Sequence, residues 1–71
     1  MNKIIKFLKQ NGFNRCEKNS YSNHRCNVVI TELGFEIANN NGDCMYSDDH
    51  NIYWLIGVLT YYGFMVKNYK T

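Results

Sequence analysis

The first ten residues place their apolar side chains at helical spacing. On a helical wheel Met1, Ile4, Ile5, Phe7 and Leu8 fill one continuous arc, and Asn2, Lys3, Lys6, Lys9 and Gln10 fill the other. The pattern predicts an amphipathic helix over residues 2 to 10, ended by Asn11-Gly12 because glycine accepts the left-handed conformation that helix C-termini favour. From Phe13 to Asn23 the mixture of Asn, Ser, Lys and Tyr has no period and reads as a loop, with room for one short edge strand around Phe13 to Glu17. The period then becomes two: His24, Cys26, Val28 and Ile30 share one face and Arg25, Asn27, Val29 and Thr31 the other, the signature of a half-buried strand. Leu33-Gly34 marks a turn, Phe35 to Asn39 a second strand, Asn41-Gly42 a tight hairpin, and Cys44 to Tyr46 a short third strand. Ser47, Asp48 and Asp49 offer N-caps and first-turn negative charge, which predicts a second helix from about Asp48 to Tyr62, stopped by Gly63. Phe64 to Val66 either return as a fourth strand or pack as a tail. The expected fold is therefore α+β, one small domain over residues 1–71 in the order α-β-β-β-α. Its three-stranded antiparallel sheet, four-stranded with 64–66, is covered on its inner face by two amphipathic helices.

The second helix carries more aromatic surface than a core-facing stripe needs. Ile52, Leu55, Ile56, Val58, Leu59 and Tyr62 span an arc of about 160°, sufficient for the buried side. The opposite arc, polar in an ordinary surface helix, holds Tyr53, Trp54, Gly57, Thr60 and Tyr61, with Asp49 and His50 at its start. Tyr53, Gly57 and Tyr61 fall at i, i+4 and i+8, so the glycine leaves a dent between two rings with Trp54 beside them. Tyr and Trp bury large areas at low side-chain entropy cost, and aromatic anchors around a notch are what protein interfaces use. The competing reading is that the loop at 13 to 23 or the C-terminal tail folds over this face and makes it core. A domain this small has few elements left for that.

Composition narrows the classes further. At 71 residues and 8.4 kDa there is room for one core and none for a cleft between lobes. Phe, Tyr, Met, Ile, Asn and Lys make up 36 of 71 residues, a bias toward AT-rich codons that accounts for the eleven Asn without invoking function. The net charge of +2 hides a segregation: residues 1 to 31 balance at +5, residues 32 to 49 at −5, and Lys67 with Lys70 add +2. A fold that keeps these segments apart has a basic side and an acidic side.

Chemistry-bearing motifs are few. Cys16, Cys26 and Cys44 are odd in number, form no CxxC pair and follow no hydrophobic signal peptide, which points to a reducing cytoplasm and to buried, inert thiols. Their spacings match no zinc knuckle, so neither metal nor cofactor is expected. The uncharged run from His50 to Val66 contains Asn51, Thr60, three tyrosines and two glycines and is too short for a membrane span. Asp48, Asp49 and His50 form a titratable trio, but no nucleophile elbow, phosphate-binding loop or metal motif accompanies them, so no catalytic residue is assigned and the chain is not expected to be an enzyme.

The order α-β-β-β-α and the length resemble the double-stranded-RNA-binding domain. That family's lysine-rich start of the second helix reads Ser47-Asp48-Asp49-His50 here, so its RNA function does not carry over. In size, coding bias, lack of a catalytic motif and compact α/β plan the chain resembles small accessory proteins of phages and mobile elements, among them anti-CRISPR inhibitors. That resemblance implies a target such as a CRISPR effector nuclease or another host defence protein, met in the host cytoplasm. The expected function is thus a non-catalytic inhibitor or regulator that binds a protein, presenting His50, Asp48, Asp49 and Glu36 with Tyr53, Trp54, Gly57 and Tyr61 to a basic groove. The alternative is an RNA- or DNA-binding module using Lys3, Lys6, Lys9, Arg15 and Arg25. A homodimer built through the aromatic stripe is a third arrangement.

Overall fold

The computed structural model describes residues 2–62. Helix α1 runs from Asn2 to Gln10, as its pattern predicts, and ends in a Schellman motif. The Phe13 N–H bonds to the Leu8 carbonyl at 3.0 Å, the Gly12 N–H bonds to that of Lys9 at 3.2 Å, and Gly12 takes a φ of 85°. The motif turns the chain so that Phe13 drops into the core beside Leu8, while buried Asn11 donates from Nδ2 to the Phe7 carbonyl at 2.9 Å.

Five strands follow: β1 (Asn14–Glu17), β2 (Ser20–Ser22), β3 (Cys26–Ile30), β4 (Phe35–Asn39) and β5 (Cys44–Tyr46). They pair in the order β1-β2-β3-β4-β5, every neighbour antiparallel, so the sheet is an open meander. The expected three or four strands are thus too few. The region 13 to 23, read as loop with one edge strand, is a hairpin. Its second strand, Ser-Tyr-Ser, has one apolar residue, Tyr21, buried beside Val28, and a single apolar residue gives no period to detect. The strand expected over 24 to 31 is trimmed at both ends, and His24, expected on its inner face, is exposed before it, with its carbonyl accepting from Asn40 Nδ2 at 2.7 Å. The Asn41-Gly42 hairpin forms with a three-residue loop closed between Asn39 and Asp43, Gly42 at φ 89°. The expectation for Phe64 to Val66 lies outside the described residues.

Helix α2 spans Ile52–Tyr61. Its N-cap is Asn51, whose side chain accepts from the Tyr53 N–H at 2.9 Å, rather than Ser47, Asp48 or Asp49. Four of the five residues from Ser47 to Asn51 have capping chemistry, and packing selects among them. Gly34 approaches the backbone carbonyls of Ser47 and Asp49 so closely that any Cβ would collide with them. The segment 47 to 49 closes instead on itself, with Ser47 Oγ donating to the Asp49 carbonyl at 2.8 Å and Asp49 Oδ1 accepting from the Asn51 N–H at 3.1 Å. The helix can begin only after that turn.

Both helices bury their apolar stripes in one cluster on one face of the sheet. Ile4, Phe7 and Leu8 of α1 and Ile52, Leu55, Val58 and Leu59 of α2 meet Tyr21, Cys26, Val28, Ile30, Phe35 and Ile37 of the strands. The opposite sheet face is polar toward β1, where Ser20 Oγ reaches Asn27 Oδ1 at 3.0 Å, and carries exposed Glu36, Cys44 and Tyr46 toward β5. No helix among the described residues is long and apolar enough to cross a membrane.

Candidate protein-binding surface

Phe35 organises the surface where β4, β5 and α2 converge. It is fully buried at the start of β4, with His50 edge-on to one side at 5.5 Å and 87°, and Trp54 stacked parallel at 6.2 Å and 5°. His50 Nε2 lies 2.8 Å from the Thr31 carbonyl. A carbonyl only accepts, so this nitrogen carries the proton and donates. Thr31 also closes the preceding turn, its Oγ1 accepting from the Gly34 N–H at 2.9 Å and its N–H bonding to the Gly34 carbonyl at 2.8 Å. The turn before β4 and the segment before α2 are therefore bolted together by one histidine, one ring and one glycine contact.

Two of the expected binding residues also have a packing role. His50 is half-buried before the helix, outside its first turn, and holds the Thr31 carbonyl. Trp54 is half-buried against Phe35, so its ring extends the core and only its outer part remains for binding. That Phe35 lies against Trp54 is not legible in the sequence, because helix and strand periodicities do not register elements against each other.

The remaining residues divide between the depression before α2, the outer face of α2 and, for Glu36, the sheet face away from the helices. Tyr46, Ser47, Asp48, Asp49, Asn51 and Trp54 line an open depression of about 480 Å³. Asp48 is exposed and its carboxylate has no hydrogen-bond partner among the described residues, whereas Asp49 spends one oxygen on the turn. Glu36 is exposed and stands opposite Tyr46 in the β4–β5 ladder. Along α2, Tyr53 and Tyr61 are 56% and 75% exposed, and nothing lies within 4 Å of the place a Gly57 Cβ would occupy. Tyr46, at 69% exposure, lines the depression from the sheet side and was missed in the sequence because an exposed strand aromatic looks like one more alternating residue.

No protein-family model matches the chain, and no match was found among curated proteins or solved structures.

The basic candidates are distributed over three elements. Lys3, Lys6 and Lys9 are exposed on α1, Arg15 is exposed on β1 with its Nε donating to the Glu17 carbonyl at 3.3 Å, and Arg25 is exposed in the β2–β3 loop. The thiols also depart from expectation, since only Cys26 is buried while Cys16 and Cys44 are exposed. Those two lie on β1 and β5, the short strands at the edges of the sheet. Side-chain hydrogen bonding with Ser20 and then with Ser22 lowers the pKa of Cys16, and burial raises that of Cys26. Among the described residues no three His, Cys, Asp or Glu side chains converge as metal ligands.

Proposed function

We propose that the protein acts by binding another protein through the acidic and aromatic surface at the start of α2, regulating or inhibiting it by occupancy rather than by catalysis. The carrying observation is the outer face of α2. Tyr53 and Tyr61 stand exposed on either side of an unfilled glycine notch, on a helix without one charged residue. A glycine inside an exposed helix costs about 1 kcal/mol relative to alanine, so its presence between two rings makes sense as room for a partner's side chain. The adjoining depression adds Asp48 and Asp49, and no Lys or Arg occurs between Arg25 and Lys67. A surface of that sign suits a basic groove, of the kind found on proteins that handle nucleic acid, host defence nucleases among them.

The test is capture of partners from the native host, identified by mass spectrometry, with wild type against a Tyr53→Ser/Tyr61→Ser variant and an Asp48→Asn/Asp49→Asn variant. Both variants should keep the wild-type melting temperature and lose the partner. Unfolding of the tyrosine variant would show that the rings hold the fold together and would sink this reading. Steeply salt-dependent binding of an oligonucleotide, abolished by replacing Lys3, Lys6 and Lys9, would replace it with the nucleic-acid reading.

A further inference from the structure

The two edges of the sheet are defended differently. At β1 all four residues are exposed, Arg15 and Glu17 bring charge, Lys18 follows, and the pairing with β2 slips between Arg15 and Glu17. Charge and a bulge are the usual means of keeping another strand off an edge. At β5 neither is present: Cys44, Met45 and Tyr46 are uncharged and pair with Ala38, Ile37 and Glu36 in unbroken register. The ladder bonds at its two ends, Asn39 N–H to Asp43 carbonyl at 3.0 Å and Ser47 N–H to Phe35 carbonyl at 2.9 Å, fix the alternation. Met45 then faces β4 with its backbone groups, and Cys44 and Tyr46 turn theirs outward. Among the described residues no strand lies beyond β5 to receive them.

We propose that β5 is the docking edge of the binding surface, and that it accepts an extended segment of the partner carrying Arg or Lys as a sixth strand. The proposal rests on the protein-binding reading above and specifies its mode. The charge around the edge names the occupant. Asp43, one oxygen of which accepts from Asn39 Nδ2, precedes β5, Asp48 and Asp49 follow it in the turn at 47 to 49, and Glu36 stands beside Tyr46, so carboxylates flank both ends of the edge. Main-chain hydrogen bonds to Cys44 and Tyr46 supply affinity, and basic side chains at the ends of the segment supply the choice of partner. A second copy of this chain is a poor occupant. Antiparallel pairing of two β5 strands brings Asp43 of each copy toward the Asp48–Asp49 end of the other, and like charges facing across strands repel.

The test uses the full chain, ¹⁵N-labelled, and the hexapeptide Arg-Thr-Val-Thr-Val-Arg as probe. Amide shifts should concentrate at residues 43 to 49 and be absent with the glutamate counterpart of the peptide. Raising salt from about 50 to about 300 mM should weaken binding about fivefold, since the charges are exposed. Tyr46→Pro removes an outward N–H without removing a ladder bond, and should weaken binding about tenfold, as expected for one net hydrogen bond. Tyr46→Val, which keeps the N–H, should cost less than about twofold, so loss of the ring is separated from loss of the edge. Equal binding by Tyr46→Pro and wild type overturns the proposal, as does the absence of shifts at residues 43 to 49. Shifts confined to Tyr53, Gly57 and Tyr61 overturn the edge while leaving the protein-binding reading intact. That reading fails separately, if the tyrosine and aspartate variants above retain the captured partner.

Discussion

The two helices cover the same sheet face yet differ on the side they show to solvent. α1 buries Ile4, Phe7 and Leu8 and presents Lys3, Lys6 and Lys9, so hydration alone explains its outer face. α2 buries Ile52, Leu55, Val58 and Leu59 and presents Tyr53, Gly57, Thr60 and Tyr61, with no charge anywhere along it. A helix with apolar residues on all sides is usually enclosed, yet among the described residues Tyr53, Gly57 and Tyr61 of α2 stand exposed. The contrast teaches that, among the described residues, packing accounts for the inner stripe of each helix, while the exposed Tyr53 and Tyr61 of α2 are the feature that the binding proposal has to explain.

Four substitutions break or sharpen that contrast. The largest effect should come from Phe35→Ala, which removes the ring between His50 and Trp54 and should cost about 4 kcal/mol in urea unfolding. The same variant should lose the near-ultraviolet dichroism of Trp54, and a preserved signal would show that α2 is seated without the ring. Gly34→Ala comes next: its Cβ would meet the carbonyls of Ser47 and Asp49, and about 3 kcal/mol is the expected loss. Stability unchanged in that variant would mean the segment before α2 yields freely. Gly57→Ala should have the opposite sign, raising stability by about 0.8 kcal/mol because the new methyl meets nothing and the helix gains propensity. If it also weakens partner binding, stability and binding are separated at a single residue. Replacing Lys3, Lys6 and Lys9 together by Gln should have the smallest effect, within about 0.5 kcal/mol in thermal melts, since exposed charges spaced three apart repel one another as much as they help. A large loss would show that the outer face of α1 is not merely solvated.

How much of this was legible in the sequence follows from what each residue must satisfy. α1, with its clean amphipathic wheel and its Gly12 stop, was readable to the residue, because a local pattern and a local capping motif determine it. β4 and β5 were likewise readable from Phe35, Ile37 and the Asn41-Gly42 turn. The β1–β2 hairpin was not, since four exposed residues and a lone Tyr21 make no pattern. The start of α2 was misplaced because Ser47, Asp48, Asp49 and Asn51 compete as caps, and the contest is decided by Gly34, distant in sequence. The packing of His50 and Trp54 was not legible for the same reason: both rest on a ring contributed by β4. The exposure of Tyr53 and Tyr61 matches the expectation from the wheel, which needed only the identity of the buried stripe.

The strictly sequential strand order also bears on how quickly the fold is reached. Each strand pairs only with those adjacent to it in the chain, so every ladder closes through a short turn and no distant segment has to be threaded between two others. The expensive closure is the meeting of α1 and α2 in the shared apolar cluster, since the two helices stand at opposite ends of the described chain. The strand pairings of such a sheet are all local, and the meeting of the two helices is its contact of greatest sequence separation.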